Sequence, residues 1–254
     1  MPDPARPWAP DPRLAGVPSD VLRARQDRPL DVRFPALEHA AIQLSAVTSP
    51  LGRGLYEWEL AVIRDVFQRG VDAARVRVVE ANVLNAPTTL GNQIRVPYGW
   101  SFERDNRPVL VHEVAHVWQY QTQGAGYISD SVYHNASGAI ATGNRNVAYM
   151  NYRLTPGSGL LDFTAEEQAT IVGDYYELTR IYQNDPSPPA WVQLRRPDLP
   201  LYERLIAQVR SATPRSDAAV YQQDLMNQPQ RGVDLGVPPE RQMAPTMPLV
   251  QFRF

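Results

Sequence analysis

The chain has 254 residues, 43% of them hydrophobic, which is enough for one folded domain with a substantial core. Its 25 basic and 27 acidic residues nearly balance, and no run of Lys and Arg is long enough to follow a phosphate backbone, which argues against nucleic acid as a partner. The absence of cysteine excludes disulfide bonds and thiolate metal sites, so a metal ion would have to be held by His, Asp or Glu.

Neither an export signal nor a membrane span is predicted. The N-terminus, Met1-Pro-Asp-Pro-Ala-Arg-Pro-Trp-Ala-Pro, lacks the apolar segment of a secretory signal. No stretch approaches the about 18 apolar residues that a transmembrane helix requires. We therefore expect a protein that resides in the cytoplasm or is exported by a secretion system that needs no signal peptide.

Proline divides the chain into three segments. Eight of the 24 prolines lie in residues 1–35 and eleven in residues 183–254, with five between. Because proline fixes φ and lacks a backbone donor, the sequence predicts two irregular arms, 1–35 and 183–254, around a compact domain at 36–182. One short helix, Leu201–Val209, is predicted in the C-terminal arm. Four aromatic residues are candidates for anchoring the arms: Trp8, Trp191, Phe252 and Phe254.

The domain is predicted to begin with a helix and two strands. Gly54–Phe67 carries apolar residues at helical spacing, and Gly70 just beyond it is suited to a helix C-cap. Arg75–Val79 and Asn92–Val96 alternate apolar and polar residues, as half-buried strands do. We expect these two strands to pair in a small sheet.

The next segment contains the pattern HExxH, as His112-Glu113-Val114-Ala115-His116. Start signals at Asp105 to Pro108 and a stop at Gly124 predict a helix over Val109–Gln123. Two histidines four residues apart lie on one helix face, where both imidazoles can bind one metal ion while the glutamate reaches a water on that ion. The pattern thus predicts a metal site on a properly bounded helix.

Zinc in hydrolytic sites takes three protein ligands and keeps a fourth position for water. His112 and His116 are two predicted ligands, and Glu113 is the predicted general base that takes a proton from the zinc-activated water. The opposite helix face is expected to pack on the core through Val111, Val114 and Trp118.

The third ligand is expected on a second helix, predicted over Thr164–Tyr182, where Glu166 and Glu167 are both candidates. Glu166 shares a face with the small residues Ala169, Thr170 and Gly173, which would let this helix approach the motif helix, and this favours Glu166. Glu167 is also placed to form a capping box with Thr164. Asp174, on the same face as Glu167, is a candidate to orient a ligand histidine.

Further site candidates lie between the two helices. Tyr149 or Tyr152 is predicted to donate a hydrogen bond to the oxyanion that forms during hydrolysis. His134 is a rival donor or ligand, in a segment, residues 128–147, whose pattern does not distinguish helix from loop. His39 lies in an Ala-rich stretch and is expected to be structural.

The two helices together resemble a known family. The segment His112-Glu-Val-Ala-His116-Val-Trp-Gln, followed by Glu166-Glu-Gln-Ala-Thr-Ile-Val-Gly-Asp174-Tyr, is similar to the gluzincin-type metallopeptidase domains associated with bacterial contractile injection and type VI secretion systems. The resemblance covers residues 50–182. Glu167 stands where that family has glutamine.

The resemblance implies zinc bound by His112, His116 and Glu166, with Glu113 as general base. It also implies that the strand Asn92–Val96 forms the edge to which an extended peptide substrate adds. On this basis we expect an α+β, zincin-like fold, in which a small sheet accompanies the HExxH helix and a second helix bears the third ligand.

The expected function is that of a zinc metallopeptidase that hydrolyses peptide bonds, with Zn²⁺ as its cofactor and a peptide or protein as its substrate. The alternative is a non-catalytic zinc-binding effector or structural module of a bacterial secretion or injection system. In either case, proteins of the secretion apparatus are candidate partners.

Overall fold

The computed structural model describes residues 11–17, 34–48, 52–81, 86–103, 106–142 and 147–227. Within these ranges the chain is α+β, mostly helical, with one small sheet. The helices are α1 (Pro35–Thr48), α2 (Glu57–Phe67), α3 (Arg107–Gln123), α4 (Gly126–Thr142), α5 (Val147–Met150), α6 (Ala165–Tyr176), α7 (Ala190–Arg195), α8 (Leu199–Ser211) and α9 (Asp217–Asn227). The strands are β1 (Arg77–Glu80), β2 (Thr88–Leu90) and β3 (Gln93–Val96).

The sheet has the order β1-β3-β2, with β1 parallel and β2 antiparallel to β3. The predicted pairing of the first and last strands is confirmed. The prediction that Asn92–Val96 forms the sheet edge is wrong, because β3 pairs on both sides and is central. Arg53 pairs with Val78 beside β1, so within the described residues the open edge is β2. At three residues, β2 is too short to show a strand pattern in the sequence.

Helix α3 carries the HExxH pattern and runs through the centre of the fold. Pro108 lies in its first turn, where a missing backbone donor costs nothing, and Gly124 ends it with φ 98. Val111, Val114 and Trp118 are all buried in the main core, as predicted for the face opposite the histidines.

Helix α6 packs against α3 in the antiparallel direction. Its first residue, Ala165, accepts a hydrogen bond from Gln119 near the end of α3, whereas Gly173, two turns on, lies near Pro108 at the start of α3. A Cβ on Gly173 would lie 3.7 Å from the Pro108 carbonyl oxygen, so a small residue permits this approach. At its C-terminal end, α6 passes into a π-helical turn, Glu177–Ile181.

The ambiguous segment after α3 forms helix α4, which packs against α1. No helix was predicted over Pro35–Thr48, where the structure has α1. Ser129 joins the two helices: its hydroxyl accepts from the Phe34 backbone N–H and donates to Glu38 at 2.5 Å. This contact gives α4 a defined position beside the site.

The segment from residue 183 contains more structure than the single predicted helix at Leu201–Val209. Helix α8 covers that span, and α7 and α9 flank it. Pro189 is the N-cap of α7 and Pro200 lies in the first turn of α8, two positions where proline is compatible with a helix. Trp191 is 9% exposed and belongs to the core. Trp8, Phe252 and Phe254 lie outside the described residues, and the division into arms and domain stays a prediction.

A short turn near the N-terminus, Pro12–Leu14, docks on α6 through a buried ionic cluster. Both terminal nitrogens of Arg13 donate to Asp174, at 2.9 and 2.8 Å, and its guanidinium lies over the Trp191 ring. Asp174 also accepts from the Tyr152 hydroxyl. The prediction that Asp174 orients a ligand histidine is therefore wrong: the antiparallel packing carries it past the histidines to the Arg13 cluster.

Among the described residues, no helix combines the length and apolar character needed to cross a membrane.

Candidate metal centre

His112, His116 and Glu166 form one cluster between α3 and α6. Their candidate ligand atoms all lie within 4.8 Å of one another. Glu166 Oε2 is 3.4 Å from Nε2 of His112 and 3.4 Å from Nε2 of His116. The two imidazoles meet edge to face with ring centroids 4.9 Å apart, because one helical turn places them on the same side of α3. Three donor atoms thus converge on one small region.

The Glu166 carboxylate is almost fully buried, with 6% of its side chain exposed. Among the residues that the structure describes, no donor apart from the two imidazole nitrogens reaches its Oε2 atom. A buried anionic oxygen without a hydrogen bond is costly unless a positive charge or a proton compensates it. The position of this atom is therefore suited to a cation.

The charges of the cluster shift the pKa values of His116 and Glu166 strongly. Burial alone would lower the pKa of His116, but the charge of Glu166 and the contact with it outweigh burial and raise that pKa to about 9. Burial alone would raise the pKa of Glu166, but His116 and His112 hold it well below its usual value. The cluster therefore favours added positive charge between its members, whether protons or a metal ion supply it.

Gln119 determines which nitrogen of His116 faces the cluster. The Gln119 amide nitrogen donates to the Ala165 carbonyl at 2.8 Å and to Gln168 Oε1 at 3.1 Å. Its oxygen is therefore the atom that faces His116 Nδ1, at 2.7 Å, and must accept a hydrogen bond from it. This leaves Nε2 of His116 directed at Glu166, and this nitrogen would be the one to bind a metal ion in place of its proton.

Glu113 lies beside the cluster and is held by the sheet. Its side chain is 6% exposed, and its Oε2 atom is 2.7 Å from the hydroxyl of Thr89 on β2. Tyr127 ties the same region together: its hydroxyl bonds Gly91 and Thr89, and its ring stacks on His116. The open edge strand β2 therefore borders the HExxH helix directly.

The donor set fits zinc. Two imidazole nitrogens and one carboxylate oxygen are the ligands of the His₂Glu type of hydrolytic zinc site, whereas Mg²⁺ and Ca²⁺ prefer oxygen ligands alone. The two Nε2 atoms and the buried Glu166 Oε2, which lies 3.4 Å from each, provide this set. The residues present are therefore suited to hold zinc.

The remaining predicted site residues are placed as follows. Glu167 is turned away from the histidines and forms the capping box, accepting from the Thr164 backbone N–H at 3.1 Å. Tyr149 lies beside His112, with ring centroids 5.8 Å apart.

Tyr152 is not brought to the cluster, because its hydroxyl bonds Asp174 and Tyr202. His134 is buried next to Asp130, and His39 lies near Tyr221.

Three residues that contact the site were not predicted from the sequence: Thr89, Gln119 and Asn135. Gln119 had a usable signal, since it follows His116 by three residues and so shares its helix face. Thr89 and Asn135 had none, because Thr89 lies on a three-residue strand and Asn135 in the segment with an ambiguous pattern.

Comparison with known proteins shows similarity to a curated protein and to a solved structure. No family model matches the chain. Over 137 residues the chain is 31% identical to the type VI secretion system spike protein VgrG2b of Pseudomonas aeruginosa, a match that covers 49% of this chain and 13% of that protein. The solved effector domain of Pseudomonas aeruginosa VgrG2b matches with a TM-score of 0.43 and 25% identity, over 57% of this chain and 89% of that chain. The chain is thus similar in sequence to a small part of a secretion-system spike protein.

Proposed function

We propose that the chain is a zinc-dependent metallopeptidase of the gluzincin type that acts as an effector of a type VI secretion system. The observation that carries the chemistry is the buried cluster of His112, His116 and Glu166, in which Glu166 Oε2 meets no donor except the two imidazoles among the residues described. The sequence similarity to the spike protein VgrG2b supports the association with secretion and with proteins of that apparatus.

In this proposal His112, His116 and Glu166 would hold zinc, which would act as a Lewis acid that polarises a carbonyl and lowers the pKa of a water. Glu113 is the proposed general base and general acid of the hydrolysis. Its Oε2 atom is occupied by Thr89, which leaves Oε1 to take a proton from the attacking water and pass it to the leaving amine. Tyr149, beside His112, is the donor we propose for the oxyanion.

Strand β2 supports a peptide as the substrate. It is the open edge of the sheet within the described residues, and Thr89 on it contacts the proposed base. An extended peptide that adds to this edge would be fixed by backbone hydrogen bonds with a carbonyl near Glu113. The proposed cleft therefore runs along β2 rather than β3.

Hydrolysis of an unfolded protein substrate tests the proposed activity. Purified protein should cleave reduced, unfolded casein, lose this activity when 1,10-phenanthroline removes zinc, and regain it when zinc is restored. Cleavage that persists after complete removal of the metal would contradict a zinc-dependent mechanism.

Loss of the Thr89 hydroxyl should lower the rate of peptide hydrolysis and leave the binding of zinc unchanged. Thr89→Val keeps the size of the side chain but removes the donor to Glu113, so the carboxylate loses its fixed orientation, and we expect kcat to fall about 10-fold. Thr89→Ser keeps a hydroxyl and should retain most of the rate. Steady-state kinetics on a fluorogenic peptide measure both variants, and equal rates in Val and Ser would show that the contact has no role.

The second candidate is a non-catalytic effector that binds zinc for structure. The observation in its favour is the similarity to a spike protein, which concerns secretion and not catalysis. In that case the biological effect of the protein on target cells would not depend on Glu113.

A further inference from the structure

Helix α4 fixes the first turn of α6, where the proposed third ligand lies. The Asn135 side-chain amide donates to Glu166 Oε1 at 3.0 Å. Asp130, on the same helix, accepts from the backbone N–H of Ala165, the residue before Glu166. Asp130 also lies 3.1 Å from Nε2 of the fully buried His134. Residues of α4 therefore form hydrogen bonds both with the Glu166 carboxylate and with the backbone just before it.

The contact between Asn135 and Glu166 has a defined direction. Asn135 Oδ1 is buried and has no hydrogen-bond partner within the described part of the chain, so the contact with Glu166 is the one that orients the amide there. If the amide were rotated by half a turn, its oxygen would face the oxygen of Glu166 and the two would repel each other. Nδ2 is therefore the atom that faces Glu166, and Asn135 acts as a neutral donor.

The two oxygens of Glu166 consequently have different surroundings. Oε1 accepts from Asn135, whereas Oε2 faces the two imidazoles at 3.4 Å. The hydrogen bond from the Asn135 side-chain amide also opposes rotation of the carboxylate, because a rotation that brought Oε1 towards the histidines would break this hydrogen bond. Only one oxygen of this side chain is thus available to the cluster.

We propose that Asn135 is a positioning residue that makes Glu166 a one-oxygen metal ligand. This inference rests on the proposed zinc site. Two imidazoles and one carboxylate oxygen make three ligands, so the fourth position of a tetrahedral site stays available to the substrate and water. A carboxylate released from Asn135 would offer both oxygens, and the second oxygen would bind beside the water as a fifth ligand.

The test compares Asn135→Leu with the wild type in the full chain, using Co²⁺ and Zn²⁺ as probes. Leucine has a similar size but no donor. We expect the d–d absorption of the cobalt protein to change from the intense bands of four-coordinate cobalt to the weak bands of a five-coordinate ion. Zinc affinity, measured by competition with a chromophoric chelator, should fall about 10-fold.

Asn106→Leu is the matched control, because its amide also donates to one oxygen, the Ser101 carbonyl, away from the cluster. It should leave both the cobalt spectrum and the zinc affinity unchanged. Asn135→Ala provides a second variant with the same expected spectrum if the leucine variant does not fold.

Two failures are distinguishable. A wild-type protein that binds neither ion would contradict the proposed zinc site itself. A wild-type protein that binds both ions, with a folded Asn135 variant whose cobalt spectrum is unaltered, would overturn the role of Asn135 alone.

Discussion

Replacement of Glu113 by glutamine is expected to lower the rate of peptide hydrolysis by about 10³-fold while zinc stays bound. Glutamine has the same shape, and its amide oxygen can still accept from the Thr89 hydroxyl, so the helix and both histidines should keep their positions. It cannot take a proton from water at neutral pH. The loss should therefore appear in kcat, with little change in the zinc content.

The measurement is kcat/KM on a fluorogenic peptide, with zinc determined by elemental mass spectrometry on the same sample. Glu103→Gln is a suitable control, because Glu103 is an exposed carboxylate just before the motif helix. It should change the rate by less than about twofold. A Glu113→Gln protein that hydrolyses peptides at the wild-type rate would remove Glu113 from the mechanism. If that variant keeps full biological effect although hydrolysis is lost, the non-catalytic effector is the better account.

Replacement of Glu166 by glutamine should weaken zinc binding at least about 100-fold, whereas the same change at Glu167 should leave it unaltered. Glu166 Oε2 is buried and faces the two imidazoles, and no other donor in the described ranges reaches it. A neutral amide at this position removes the only negative charge that the cluster offers to the ion. Glu167 points to the start of the helix and not to the histidines.

Glu166 and Glu167 are adjacent, so the same substitution at Glu167 is the control for the substitution at Glu166. Glu167→Gln should lower the free energy of unfolding by about 1 kcal/mol, because it weakens the capping box with Thr164. Isothermal titration with zinc and chemical denaturation measure the two effects separately. The reverse pattern, with zinc affinity lost at Glu167 and kept at Glu166, would exchange the roles assigned to these residues.

The features that sequence alone predicted are those that depend on local pattern. The HExxH helix, Arg107–Gln123, has its apolar face within the helix and its start and stop signals in or next to it, so short stretches of sequence predict it. The choice of Glu166 over Glu167 also followed from one helix, since Glu166 shares a face with the small residues that approach α3. The structure brings Glu166, and not Glu167, to the histidines.

The features that could not be predicted depend on how distant segments meet. Asp174, on the second helix, and Tyr152, between the two helices, were assigned to the site, but the antiparallel packing of α6 on α3 carries Asp174 to the Arg13 cluster, and the Tyr152 hydroxyl bonds Asp174 there. Strand β2 is too short to be recognised, although it forms the open edge and holds Glu113 through Thr89. Asn135 gained a role only through the position of α4.

Helices form in the C-terminal segment in spite of its proline content. The frequency of proline predicted an irregular arm, but Pro189 and Pro200 lie at the starts of helices, where the missing N–H has no intrahelical partner in any case. Tyr202, Leu205 and Ile206 of α8 are fully buried in the main core. The position of each proline relative to the apolar pattern was more informative than its frequency.

The zinc content of the protein, purified without chelators and without added metal, tests the central claim most directly. The convergence of His112, His116 and Glu166 on one buried region predicts about one zinc ion per chain, held through extensive dialysis. Protein with the three residues intact that is folded but contains no zinc, and takes up none when zinc is supplied, would contradict the claim that this cluster is a zinc site.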